Sequence, residues 1–253
     1  MSIAVAPPAL AAKVALGGTD ERLTAAIFDV DGVLLASPHE RAWREALVGY
    51  ADPDCFTTAV YQAQVAGKPR LDGALAALEA MGVPDAERQA EAYAERKQAR
   101  LEELIRAGSV TAFPDALRFV QAIKVLGWPM AVASSSKNAD AMLKPIRLAD
   151  GSSLHDAFSV NVCGRNLRHG KPDPEIFLLA AAELRIAPIL CFVAEDAPAG
   201  IQAARAGGMA CLGVARLHDA AGLEDQHATL VVTSLDEVAL DGLVAGRLCR
   251  RPA

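Results

Sequence analysis

Short β-like runs recur along this 253-residue chain at intervals long enough to hold a helix, and that rhythm narrows the possible folds more than any other feature. The runs cover residues 25–30, 129–134, 158–162, 189–194, 209–214 and 229–232. Helical stretches bounded by Pro or Gly separate the later ones, over 139–148, 174–184 and 199–206. Strand and helix in alternation predict an α/β fold with a mostly parallel sheet covered on both faces. The rhythm breaks once. Between Ser37 and Gly108 the pattern is helical, over 38–48, 55–66, 71–81 and 85–107, and the last stretch carries Tyr93, Leu101, Leu104 and Ile105 as an apolar stripe. A bundle inserted after the first strand hangs over the site end of the sheet and acts as a lid. The expected organisation is a loose tail over 1–22, a core over 23–36 and 109–253, and a helical cap over 37–108.

Composition sets broad limits. Hydrophobic residues make up 52 % and aromatics 5 %, as in a soluble, helix-rich α/β protein with an ample core. The net charge of −6 argues against a general nucleic-acid surface. No two of the five cysteines stand at C-x-x-C spacing, and Cys191 and Cys211 lie in apolar runs, so the expected compartment is reducing, that is, cytoplasmic. Residues 1–22 lack the basic start of a signal peptide, and no run is long enough to span a membrane. Neither a nucleic-acid nor a membrane partner is expected. Oligomeric state is left open, and a monomer is compatible with the sequence.

Chemistry concentrates at the strand ends. The first run ends in I-F-D-V-D-G-V-L, where Gly32 lets the chain turn so that Asp29 and Asp31 can approach one ligand. The second, V-A-S-S-S-K-N, sets Ser134, Ser135, Ser136, Lys137 and Asn138 at a strand-to-helix turn, where hydroxyl and backbone N–H donors suit a phosphate. In G-K-P-D-P-E-I-F, prolines on either side of Asp173 fix the turn that presents Lys171. In C-F-V-A-E-D-A-P, a strand ends in Glu195 and Asp196, oxygen donors for a hard divalent cation. Taken singly, these are an Asp-rich turn, a helix cap, a surface lysine and another cap. Their order along one α/β chain is the signal.

That ordered set, with a helical insertion after its first member, resembles the haloacid dehalogenase superfamily of phosphotransferases, over nearly the whole chain from Ala25. The resemblance implies a Rossmann-like parallel sheet with an inserted helical cap, one Mg²⁺, and a small phosphorylated sugar as substrate. It makes Asp29 the nucleophile that becomes an aspartyl phosphate, and Asp31 the general acid and base. Mg²⁺ sits between Asp29, the Asp31 carbonyl and the Glu195/Asp196 pair, while Ser134 and Lys171 hold the transferring phosphoryl group. Within the superfamily the chain is similar to the β-phosphoglucomutase-like group. His39 and Trp43 resemble the cap-entry helix, and Arg70 in Gly67-Lys68-Pro69-Arg70 resembles the arginine that holds a distal phosphate. Lys97 resembles a cap lysine near the substrate, and Ser135 to Asn138 complete the distal site on the core. The hinge from Leu34 to His39 is shorter than in that group and reads L-L-A-S-P, with Ser37 its nearest hydroxyl. Ala197 stands where many relatives have serine.

The acceptor stays open between water, as in a phosphatase, and a second sugar hydroxyl, as in a mutase primed by a sugar bisphosphate. A non-catalytic phosphate- or partner-binding module is the rival from another class. A metal-independent dehalogenase is a further alternative, and an intact Asp31 with the Glu195/Asp196 pair argues against it.

Overall fold

The structure is a computed structural model that describes residues 22–216 and 220–252. The tail expected over 1–22 lies, apart from Arg22, outside the described residues. In chain order the elements begin with strand β1 (Ala25–Phe28), strand β2 (Leu35–Ala36) and helices α1 (His39–Ala46), α2 (Thr58–Gln64), α3 (Arg70–Ala80) and α4 (Ala86–Arg106). Strand β3 (Thr111–Ala112), helix α5 (Pro114–Val125), strand β4 (Met130–Val132), helix α6 (Ala139–Leu143), strand β5 (Val160–Asn161) and helix α7 (Glu175–Leu184) follow. The chain continues through strand β6 (Cys191–Glu195), helix α8 (Pro198–Ala206), strand β7 (Ala210–Val214), helix α9 (Ala220–Asp225), strand β8 (Leu230–Val232) and helix α10 (Leu240–Val244).

Every predicted strand run holds one strand of a parallel six-stranded sheet of order β5-β4-β1-β6-β7-β8. The chain lays strands outward from β1 through β4 and β5, then returns to β6 and builds outward the other way. That reversal opens a crevice at the carboxyl ends of β1, β4 and β6. Alternation along the strands sorts the core. Ala26, Phe28, Met130, Val132, Phe192 and Ala194 face one layer with α5, α6 and α10, while Ala25, Ile27, Ala131, Cys191 and Val193 face the other with α7 and α8. Phe28 anchors the first layer, with ring centroids 6.2 Å from Phe119, 5.8 Å from Phe158 and 6.2 Å from Phe192, all edge-on.

The helical stretch between Ser37 and Gly108 forms α1 to α4, with an apolar cluster of its own around Trp43, Leu47, Phe56, Leu78 and Tyr93. Tyr93 ties α4 to α1 by donating from its hydroxyl to the Trp43 carbonyl at 2.8 Å. Its links to the core are β2 and β3, which pair antiparallel as a two-residue ribbon. Helix α6 is shorter than the expected 139–148 because Pro145 removes an N–H donor and restricts the residue before it.

Candidate active site

The ladder on β1 continues past the strand. Asp29 N–H donates to the Ala194 carbonyl at 3.0 Å, and Ala133 N–H donates to the Phe28 carbonyl at 2.8 Å. Asp29 is therefore fixed from both sides where the central strand ends, and its carboxylate is buried. Lys171 reaches it from the proline turn, donating from Nζ to Asp29 Oδ1 at 2.6 Å and to Glu195 Oε1. Burial alone lowers the Lys171 pKa, but Asp29 and Glu195 outweigh it and hold the ammonium above the ordinary lysine range. Burial pushes the Asp29 carboxyl up against the pull of Lys171, and Glu195 and Asp31 add to the push. Asp196 is raised well above the carboxylate range by burial and by the same neighbouring acids. Its carboxylate rests on Gly32, at a φ of +74°, where a Cβ would occupy the space of the carboxylate itself.

The pair Glu195 and Asp196 divides. Asp196 lines the cavity with Asp29 and Asp31. Glu195 is fully buried behind it, and both its oxygens are engaged: Oε1 accepts from Lys171, and Oε2 accepts from the Asp196 and Ala197 N–H groups at 2.9 and 3.0 Å. The two acids, expected to act together on an ion, point differently: Asp196 lines the cavity, and Glu195 has both oxygens bound within the protein. Glu195 holds the turn ahead of α8 through the Asp196 and Ala197 N–H groups and anchors Lys171. Asp29, Asp31 and Asp196 remain on the cavity wall, oxygen donors of the kind a hard divalent cation takes.

Above the acids the cap is seated on the core. Ser135 Oγ donates to the Gly67 carbonyl at 3.1 Å, so its hydroxyl is spent on the cap loop, although the residue lines the cavity. The Pro69 ring packs on Gly170 so closely that no Cβ fits there. The cavity between cap and core, about 60 Å³, is lined by Asp29, Asp31, Ser134 and Asp196 at its core end. Arg70, Lys97, His39, Trp43, Ser136, Lys137 and Asn138 also line it. Lys171 and Glu195 lie just behind the wall.

Individual geometries differ from simple substrate contact. Trp43 is a buried member of the cap cluster whose ring carries Lys97 Nζ at 4.5 Å from its centroid. His39 sits between Lys97 (Nζ to Nδ1, 3.2 Å), Ser136 (Oγ to Nε2, 3.4 Å) and Asp31 (Nε2 to Oδ2, 3.6 Å). Burial lowers its pKa to about 4, with Lys97 and Arg70 opposing the pull of Asp31, so the imidazole is neutral at pH 7. Burial, with Arg70 adding, takes the Lys97 ammonium down to about 7. The hydroxyl of Ser37 in the short hinge donates to Asp31 Oδ1.

Residues 23–208 match the sequence model of the haloacid dehalogenase-like hydrolase family. The chain belongs to that family. It is 34 % identical over 251 residues to the β-phosphoglucomutase of Mycobacterium bovis, covering 87 % of this chain and 93 % of that one. It is 30 % identical over 190 residues to a phosphorylated carbohydrates phosphatase of Thermotoga maritima, covering 74 % and 82 %. Among solved structures, an archaeal β-phosphoglucomutase from Pyrococcus superposes with a TM-score of 0.70 at 31 % identity, covering 87 % of this chain and 97 % of that one. This haloacid dehalogenase-like protein is an enzyme of the phosphatase and phosphomutase kind.

The site of this family member also holds residues with no motif to announce them. Tyr61 lines the cavity from the cap, near Lys68 of the Gly67-Lys68-Pro69-Arg70 loop. Gln98 on α4 exchanges amide hydrogen bonds with Asn138 on the core, at 3.1 and 3.3 Å. Arg216, beyond β7, grips the turn after Asp31. Among the described residues no helix is long and apolar enough to cross a membrane.

Proposed function

We propose that the enzyme transfers phosphoryl groups on a small phosphorylated sugar through an aspartyl phosphate at Asp29, with Mg²⁺, and acts as a phosphomutase. One observation carries the reading: a single cavity has an acidic pole at Asp29, Asp31 and Asp196 and a cationic pole at Lys68, Arg70 and Lys137, with the Lys97 amine beside them. None of Lys68, Arg70 and Lys137 forms an ion pair with a carboxylate among the described residues. A substrate with one phosphate at the acids and an anionic group at the far end satisfies both poles, and a mutase needs such a doubly phosphorylated intermediate to turn around. The names of the relatives above agree with a sugar phosphate.

In this reading the Asp29 carboxylate forms a bond to phosphorus as the bond from phosphorus to the sugar oxygen breaks. Asp31 gives its proton to that leaving oxygen and then takes one from the acceptor hydroxyl, which attacks the aspartyl phosphate. Ser134 donates to the transferring group, and Lys171, fixed by Glu195, balances its charge. Asp29, the Asp31 carbonyl and Asp196 would hold the Mg²⁺, whose charge stabilises the phosphoryl oxygens. Arg70, Lys97, Ser136, Lys137 and Asn138 receive the distal phosphate. Neutral His39 adjoins Asp31, and Trp43 walls the cap side. The seated cap, residues 37–108, excludes water.

A second reading, phosphatase, is favoured by one feature. A chamber of about 310 Å³ lies on the hinge side of Asp31, roomy enough for water and with Ser37, Glu40 and Gln62 in its lining as polar partners for it. The variant Arg70→Ala separates the two readings. It is expected to slow the interconversion of β-glucose 1-phosphate and glucose 6-phosphate roughly 100-fold, while acetyl phosphate hydrolysis changes less than about threefold. Equal losses on both substrates would remove the distal site.

A further inference from the structure

Beyond β1 the chain must leave the sheet and reverse while still presenting Asp31. Gly32 makes the reversal at a φ of +74°. The turn closes on its own backbone: Gly32 N–H donates to Leu35 O at 2.9 Å, and Leu34 and Leu35 N–H donate to Val30 O at 3.0 and 2.9 Å. Those bonds leave the Gly32 and Val33 carbonyls pointing outward. Arg216 meets both, donating from Nε to Gly32 O at 2.9 Å and from Nη2 to Val33 O at 3.0 Å.

The same guanidinium is held in turn. Its Nη1 donates to both oxygens of Asp115, at 3.1 and 2.9 Å, and its plane lies 3.8 Å from the centre of the Phe113 ring. Asp115 also accepts from Ser234 Oγ at 2.9 Å and from Leu235 N–H at 2.8 Å. The turn after Asp31 is thereby bolted to the start of α5 and to the segment after β8, all core elements. Both hinge strands leave from this frame, since β2 follows the turn and Phe113 N–H, just past β3, donates to Leu34 O at 3.1 Å.

We infer that Arg216 is a positioning residue for Asp31: its planar fork sets the peptide planes that follow Asp31 and so aims the acid/base at the leaving oxygen. The inference rests on the proposed proton role of Asp31. A lysine cannot replace the arginine, because a single ammonium cannot span two carbonyls and a carboxylate in one plane. Small displacements are costly at this point, because a misplacement of about 1 Å at a reacting group slows turnover on the order of 100-fold.

The test compares kcat/KM on two phosphoryl donors, β-glucose 1-phosphate and acetyl phosphate, with melting temperatures recorded alongside. The sugar oxygen needs a proton as it leaves, whereas acetate does not. Arg216→Lys, and Arg216→Ala if it folds, are expected to lose at least roughly tenfold more on the sugar phosphate than on acetyl phosphate. Asp31→Asn sets the benchmark and should show the same selectivity, larger. A general structural role for Arg216 lowers both donors together. Equal losses in Arg216→Lys, or none, against a selective Asp31→Asn would overturn the inference and leave the acid/base reading intact. An unselective Asp31→Asn would overturn the acid/base reading, and the inference with it.

Discussion

Asp29→Asn is expected to abolish turnover, with kcat falling by more than roughly 10⁴ on every phosphate ester, because the amide is too poor a nucleophile to open the pathway. The loss should be chemical rather than structural. Asparagine has the same shape, the backbone bonds from Asp29 N–H to Ala194 and from Ala133 to Phe28 do not involve the side chain, and Lys171 keeps Glu195 as a partner. Circular dichroism and melting should stay near wild type while steady-state assays show no product. Activity within tenfold of wild type would remove Asp29 from the reaction.

Lys171→Met should damage both stability and rate. The ammonium stands buried between Asp29 and Glu195 and over the face of the Phe177 ring, so methionine fills the volume but strands two buried carboxylates. Breaking a buried pair from one side costs about 3–5 kcal/mol, a fall in melting temperature of roughly 10 °C for a chain of this size. Losing the fixed positive charge beside the transferring group should cut kcat on the order of 10³. Thermal melts and initial rates on the same preparation check both. A variant that melts like wild type and keeps a tenth of its rate would show that Lys171 is not the counter-charge.

The sheet was legible because buried strands carry unbroken apolar runs, and the acids were legible because Asp29, Asp31 and Asp196 interrupt those runs at their carboxyl ends. Boundaries were less so. The hinge ribbon of β2 and β3 is two residues a side, too short for any period to register, and α5, α9 and α10 carried no pattern distinct from their flanks. An adjacent pair such as Glu195 and Asp196 tells nothing of direction. The turn into α8 decides it, by aiming the Asp196 and Ala197 N–H groups at Glu195 and releasing Asp196 to the cavity. Arg216 was invisible for a different reason. Its partners lie 101 residues away at Asp115 and 184 at Gly32, and a lone arginine after a strand reads as solvated surface. Tyr61 and Gln98 were hidden in the same way, as polar positions on helices whose cavity-facing side only the packing of cap on core defines.

The most direct test of phosphoryl transfer between two sites on one sugar is product analysis by phosphorus NMR. The enzyme is incubated with Mg²⁺, β-glucose 1-phosphate and a trace of glucose 1,6-bisphosphate. The two-pole cavity predicts glucose 6-phosphate forming as the 1-phosphate disappears, with no matching release of inorganic phosphate. Inorganic phosphate accumulating in step with substrate loss, and no glucose 6-phosphate, would contradict it.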